Sequence, residues 1–143
     1  RQIQLDPAAR ENLIVGSNYY YTIDNPENKK FVEAYKKKFK GVPPGYAGAA
    51  GYGLMKMTLL GMQKSGSTEP QKVITALEEH KGKNFVGDFE IRGRNHQTVR
   101  PFFVLQTKKK NEMKNQYDMA EVVDVSSTEQ PKNINMCKDI GSF

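Results

Sequence analysis

The side chains of this sequence able to do covalent or metal chemistry are few and scattered. His80 and His96 stand 16 residues apart with no Cys or carboxylate at metal-ligand spacing. Each therefore reads as a surface or turn residue, and neither a metal nor a cofactor is expected. The single cysteine, Cys137, sits in a polar tail without a local histidine to lower its pKa. It reads as a structural thiol or as half of a bridge to a partner outside the chain. Glu78 and Glu79 are neighbours on an expected helix and face different ways, which argues against a general acid/base pair. The stretch from Gly61 to Thr68 has the glycine spacing of a phosphate loop, but Ser67 stands where the phosphate-binding lysine belongs and a helix precedes it. Gly48 and Gly51 lack the spacing and the preceding strand of a dinucleotide fingerprint. With no nucleophile beside a base, the chain reads as a binding protein and not as an enzyme.

Two kinds of residue remain as candidates for binding. Tyr19, Tyr20 and Tyr21 close an expected strand, and in α/β sheets ligands gather beyond the carboxyl ends of strands. A tyrosine offers a flat apolar face and one hydroxyl, suited to a small organic ligand. Strand alternation puts Tyr19 and Tyr21 on one face and Tyr20 on the other, so at least one of them is core. The runs Lys36-Lys37-Lys38 and Lys108-Lys109-Lys110 contribute to a net charge of +6, from 22 basic against 16 acidic residues. Clustered cations gain affinity for phosphates by releasing counterions. Here one run lies on the exposed side of a helix and the other in a loop, with no recognition motif attached, so a solvated surface accounts for both.

These residues need a framework to hold them. The 143 residues suit one compact core, and 37% apolar with 27% charged residues excludes a wholly disordered chain. No apolar run approaches the ~20 residues of a spanning helix. The chain begins with Arg1, without a charged and apolar leader, and reads as a processed or excised piece.

Asp6-Pro7 starts a short helical segment through Asn12, and Leu13 to Thr22 is rich in β-branched and aromatic residues, as a strand is. Asn25-Pro26-Glu27 starts a helix whose apolar stripe is Phe31, Val32, Tyr35 and Phe39, and Gly41 stops it. A second helix is expected over Tyr46 to Lys64. Its glycine-rich first half implies close approach of another backbone, and its apolar second half implies cover by a sheet. Thr68-Glu69-Pro70-Gln71 reads as a capping box opening a third helix that runs to about Lys81-Gly82. Alternation then predicts a strand from Asn84 to Ile91, a polar turn follows at Gly93 to His96, and the runs Arg100 to Thr107 and Met119 to Val125, separated by the polar segment Lys108 to Asn115, read as two further strands.

The run Asp6-Pro7-Ala8-Ala9, then Gly16-Ser17 with the tyrosines, then Asn25 to Tyr35, resembles the C-terminal half of the branched-chain amino-acid (leucine/isoleucine/valine-binding-like) ABC-transporter substrate-binding proteins. The likeness continues through Ala49-Ala50-Gly51-Tyr52, Ser65-Gly66-Ser67, Phe85 to Ile91, and Arg94-Asn95-His96 into Phe102-Phe103-Val104-Leu105. It covers the chain to about Val125, beyond which the tail follows no pattern of that family.

The resemblance implies an α/β fold: part of a two-lobed periplasmic-binding-protein type I fold, with three-layer lobes that close on a ligand like a hinged clamp. Residues 1–22 would be the end of the second lobe and a hinge crossing, 23–91 first-lobe helices and a strand, and 92–143 the return crossing, second-lobe strands and tail. It implies a periplasmic or extracytoplasmic location. The ligand would be a small amphipathic molecule, a branched-chain amino acid or an aromatic or related carboxylate, delivered to an ABC permease in the membrane. Tyr19 or Tyr21 would wall the inter-lobe cleft, and Asn95 in the polar turn would border it. Family members hold the ligand's charged groups with upstream residues, so the missing N-terminal half of the same protein is an expected partner, and a part alone would leave sheet edges and apolar helix faces bare. The competing reading is a small basic interaction domain that binds nucleic acid or an acidic protein.

Overall fold

The computed structural model describes residues 7–128, apart from 79 and 94; the expectations for Arg94 and Cys137 lie outside the described residues. Nine regular elements follow in chain order: β1 (Ile14–Ser17), α1 (Pro26–Lys38), α2 (Tyr46–Ser65), α3 (Pro70–Leu77), β2 (Lys81–Asn84), β3 (Gly87–Ile91), β4 (Thr98–Val99), β5 (Pro101–Thr107) and β6 (Ala120–Ser127). They fall into two compact units. Unit 1 holds the chain through Tyr46 together with Phe102–Ser126, and unit 2 holds Ala47–Pro101 and residues 127–128. The chain therefore passes between the units three times.

Unit 1 is built on the sheet β1-β5-β6. β1 runs antiparallel to β5, with Ile14 opposite Gln106 and Ser17 opposite Phe103. Along β5 the buried residues Phe103, Leu105 and Thr107 alternate with half-buried ones, the period a pleated strand imposes. Gly16 is required in β1 because a Cβ there would lie 2.7 Å from the Phe102 ring. The expected strand over Leu13 to Thr22 is cut short at Ser17. The Ser17 hydroxyl and the Tyr19 backbone bond each other, and Ile23 N–H closes a turn on Tyr20 O, so the tyrosines leave the sheet. The alternation argument for their faces does not apply to them.

α1 starts where its sequence says. Asn25 Oδ1 accepts the N–H groups of Glu27 and Asn28, and Pro26 occupies the first turn, where no donor is needed. At its end Gly41 N–H reaches back to Lys36 O, with Lys40 at φ 51°. Both Lys40 and Gly41, at φ 85°, are left-handed, so the helix ends at the expected glycine stop. The lysines of the last turn sit where the helix dipole is negative, which gives the run Lys36-Lys37-Lys38 a structural reason.

Unit 2 packs α2 on α3 and on the sheet β2-β3-β4. Close approach at the α2 glycines is real but is made by side chains. A Cβ at Gly61 would meet Val73 Cγ1 at 2.7 Å, one at Gly53 would meet the Phe85 ring at 3.2 Å, and at Gly51 there is open space. The expected cover over the second half of α2 is partial: Gly61 is buried and Met57, Leu60 and Met62 are half-buried, but Leu54, Met55 and Leu59 are exposed. At the start of α3 no side chain caps the helix, so the expected capping box does not form; Glu69 N–H is held by the Ser67 hydroxyl instead.

α3 stops at Leu77, short of the expected Lys81-Gly82, because Lys81–Asn84 is taken as β2 by antiparallel pairing with β3. Lys81 faces Glu90 and Lys83 faces Asp88 directly across the ladder, and both pairs are ion-paired. The predicted strand from Asn84 is likewise divided. Phe85 and Val86 form the two-residue hairpin turn, held by Val86 N–H on Asn84 Oδ1, with Gly87 at φ 127°. Both turn residues are buried, because Phe85 inserts at Gly53 and meets Tyr52 edge to face.

Candidate functional site

Unit 1 contains an apolar cavity of about 550 Å³. Its wall comes from β1 and the turn after it (Val15, Ser17, Tyr19, Tyr20, Tyr21), from Tyr35 on α1, from the Val42 to Tyr46 link, from Leu105 and Thr107 on β5, and from Tyr117, Met119 and Ala120 before β6. Six of the chain's seven tyrosines line it. That density of amphipathic rings gives broad apolar contact with a few hydroxyls, the makeup of a small-ligand pocket.

The three consecutive tyrosines have separate jobs. Tyr19 is buried; its ring meets Phe31 edge to face, and its hydroxyl donates to Asn28 Oδ1 at 2.9 Å. Burial pushes its pKa up. Tyr20 pins the β6 end of the unit, accepting Ala120 N–H at 3.0 Å and donating to Tyr117 O at 3.3 Å. Burial raises its pKa as well, against the lowering effect of the backbone bonds. Tyr21 is half-buried and stands beside Tyr20, with ring centroids 5.1 Å apart, and Lys36 Nζ lies 5.6 Å from its ring centre. Burial first, then the neighbouring Tyr20 and Asp118, push its hydroxyl up to about 12, partly countered by Lys108. Tyr21 therefore stays a neutral phenol, with Lys36 over its ring and the charge of Lys108 acting on its hydroxyl.

Lys108 and Asp118 make a partly buried ion pair at 2.8 Å, and Asp118 also accepts Lys114 N–H at 3.1 Å. Burial pushes the Asp118 carboxyl up, but the Lys108 hydrogen bond, the Lys114 N–H and both positive charges outweigh it and hold the group below its ordinary value. Lys110 opens a short 3-10 turn, and its N–H is held by Glu11. Much of the second lysine run is thus engaged in fixing the loop before Tyr117.

Of the residues expected to touch ligand, Tyr19 and Tyr21 line this one cavity. Asn95 belongs to unit 2 and is not part of the lining; its Oδ1 accepts Gln97 N–H in the turn between β3 and β4. In the same turn His96, at φ 52°, bonds Glu78 at 2.9 Å; Glu79 lies outside the described residues. The sequence reading missed Tyr35, Tyr46, Tyr117 and the Pro43-Pro44 link as cavity walls. Tyr35 was visible only as part of a helix stripe, and nothing local distinguishes the others. Among the described residues no group of three His, Cys, Asp or Glu could hold a metal ion, and no helix is long and apolar enough to cross a membrane.

Residues 2–112 match the periplasmic binding protein family. The fold is similar to that of an amino-acid ABC transporter substrate-binding protein from Pseudomonas fluorescens Pf-5, at 26% identity and a TM-score of 0.83 over 91% of this chain and 34% of that one. It is also similar to a leucine-, isoleucine-, valine-, threonine- and alanine-binding protein from Brucella ovis in its closed conformation (21% identity, TM-score 0.69, 84% of this chain and 32% of that one). A third similar structure is a solute-binding protein of an ABC transporter from Rhodopseudomonas palustris BisB5 in complex with 3,4-dihydroxybenzoic acid (20% identity, TM-score 0.72, 87% and 33%). No curated protein sequence matches the chain.

The match over more than half of its residues places the chain in the periplasmic binding protein family, a family of binding proteins and not of enzymes. Its α/β architecture is that of part of such a protein, and it spans about one third of the length of these solved relatives.

Proposed function

We propose that this chain is part of the extracytoplasmic solute-binding component of an ABC importer, located in the periplasm. Its ligand would be a small amphipathic molecule, a branched-chain amino acid or an aromatic or related carboxylate. The observation that carries the reading is the tyrosine-lined cavity of unit 1 in a chain of this family. Tyr21, a neutral phenol beside Lys36 and near Lys108, combines an aromatic face with positive potential, which suits a ring or branched chain bearing a carboxylate. In this reading the chain works with the upstream lobe segments of the family and delivers its cargo to a membrane permease. Closure of the whole receptor gains free energy only from contacts the ligand makes in the closed state. Asn95 is carried as a further proposed ligand contact.

Calorimetric titration of the full-length protein with leucine, phenylalanine and hydroxybenzoate tests this. One of the three is expected to bind, Tyr21→Ala to weaken that binding about tenfold, and Tyr19→Ala to weaken it further through loss of the wall. Unchanged affinity in both variants removes the tyrosines from the site; unchanged affinity in Asn95→Ala removes that contact. The competing reading, a basic module for nucleic acid or an acidic protein, predicts binding that collapses between low and moderate salt, whereas a solute buried among tyrosines is nearly indifferent to salt.

A further inference from the structure

Between Glu33 and Glu69 the chain has no acidic residue, and every basic residue in that stretch is a lysine. Its first part, in unit 1, is the end of α1 and the turn that follows. Phe39 N–H donates to Tyr35 O, Gly41 N–H to Lys36 O and Val42 N–H to Phe39 O, with Lys40 and Gly41 at positive φ. The turn is thus held by its own hydrogen bonds, and it leaves Phe39 at 45% and Val42 at 41% exposure. Lys37, Lys38 and Lys40 are exposed beside them, and Lys38 Nζ lies 6.0 Å from the Phe39 ring centre. Among the described residues none of these three lysines is ion-paired. Lys36 is half-buried over Tyr21 and does not belong to this group.

The helix dipole accounts for lysines at this end of α1, but it gives no reason for an aromatic and an aliphatic side chain left half in water. Apolar side chains ringed by unopposed cations match a surface that is negative outside and apolar beneath. The choice of lysine points the same way. A flexible stem ending in a point charge suits mobile headgroups, whereas fixed carboxylates or phosphates favour the planar fork of arginine, which this stretch lacks. Nucleic acid would be served by the lysines, but it has no use for Val42.

We propose that the turn closing α1 is a docking surface for an anionic phospholipid membrane, with Phe39 and Val42 entering the headgroup layer and Lys37, Lys38 and Lys40 meeting the lipid phosphates. The contact is peripheral, set by charge and a small apolar wedge. It goes beyond the solute-binding reading and does not rest on it.

Flotation of the full chain with vesicles containing phosphatidylglycerol, beside vesicles of phosphatidylcholine alone, tests the proposal. Retention is expected on the first kind only. Lys37→Gln, Lys38→Gln and Lys40→Gln together should weaken it about fivefold per lysine, and Phe39→Ser, which leaves the charge unchanged, should weaken it severalfold. Lys72→Gln, Lys81→Gln and Lys83→Gln together remove the same charge from exposed positions of unit 2 and should leave retention close to that of the parent. No retention on phosphatidylglycerol, equal loss in the two triple variants, or an indifferent Phe39→Ser overturns the proposal. Tighter binding to polyglutamate or DNA than to the vesicles, lost in the first triple variant, would assign the patch to a macromolecular polyanion and overturn it as well. In the unaltered chain, phosphatidylglycerol bicelles carrying a nitroxide-labelled lipid should broaden the amide signals of Phe39, Lys40, Gly41 and Val42 first. Broadening that spares these four overturns the proposal without any substitution, so the matter is decided even if a variant fails to fold.

Discussion

The phenol of Tyr19 donates to Asn28 Oδ1 at 2.9 Å, and Asn28 spends both protons of its amide on the chain just before it, at Tyr21 O (3.0 Å) and Ile23 O (2.9 Å). Asn28 is fully buried, at 0% exposure. One side chain on the first turn of α1 therefore fixes the path of the whole tyrosine segment, and through it one wall of the unit 1 cavity. Replacing it by Leu leaves two carbonyls and a phenol without these partners in the interior. We expect Asn28→Leu to cost about 3 kcal/mol or more and Tyr19→Phe about 1–2 kcal/mol, read by urea unfolding. Because both substitutions break one shared bond, the double variant should lose less than the sum. A larger loss for Tyr19→Phe than for Asn28→Leu would contradict this hierarchy.

The glycines of α2 give a prediction of opposite signs on a single helix. Gly61 touches α3, where a methyl group would press on Val73 and Leu77, so Gly61→Ala should destabilise by about 1–3 kcal/mol despite its better helix propensity. Gly51 faces open space, so Gly51→Ala should stabilise by up to about 1 kcal/mol. Thermal unfolding of the two variants side by side checks both signs.

Acid should weaken unit 1 through Asp118. Its folded pKa lies below the ordinary value of 3.8, so its contribution is fully present above that value and is lost as the pH falls through the lower, folded one. Denaturant titrations at descending pH should show this loss, and Asp118→Asn should flatten the profile in that window while lowering stability at neutral pH.

Alkali acts through Tyr21. Its pKa rises from the ordinary 10.0 to about 12 on folding, so the stability it contributes is whole below 10.0 and disappears as pH climbs toward 12. The Lys108 ammonium, also raised by its hydrogen bond to Asp118, acts on the same side. Tyrosinate absorbance followed against pH should show late-titrating groups, one fewer in Tyr21→Phe than in the parent, and that variant should resist alkaline unfolding better.

Sequence patterns here carried the elements whose hydrogen bonds close within a few residues. Asn25-Pro26-Glu27 and a periodic apolar stripe announced α1, an apolar stretch ended by Gly66 announced α2, and short strand-rich runs bounded by polar segments announced β5 and β6, because caps, amphipathic periods and strand-rich composition are local properties of neighbouring residues. The composition also spoke for binding over catalysis, since no nucleophile stood beside a base. Lys81–Asn84 shows the opposite case. KGKN has little intrinsic preference for a strand, and it becomes one only because Gly87–Glu90 lies opposite and supplies ladder bonds and two counter-charges. Phe85, read as a strand residue, became a buried turn because Gly53, more than thirty residues away, left it a place.

The tyrosine cavity belongs to that second kind. Chain order determined that Tyr19, Tyr20 and Tyr21 are adjacent, but Tyr35, Tyr46 and Tyr117 join them only after β1 pairs with β5 and the Val42 to Tyr46 link folds back. A local pattern cannot encode which distant wall closes a hollow, since that is fixed by the free energy of long-range pairing and burial once the whole unit has formed.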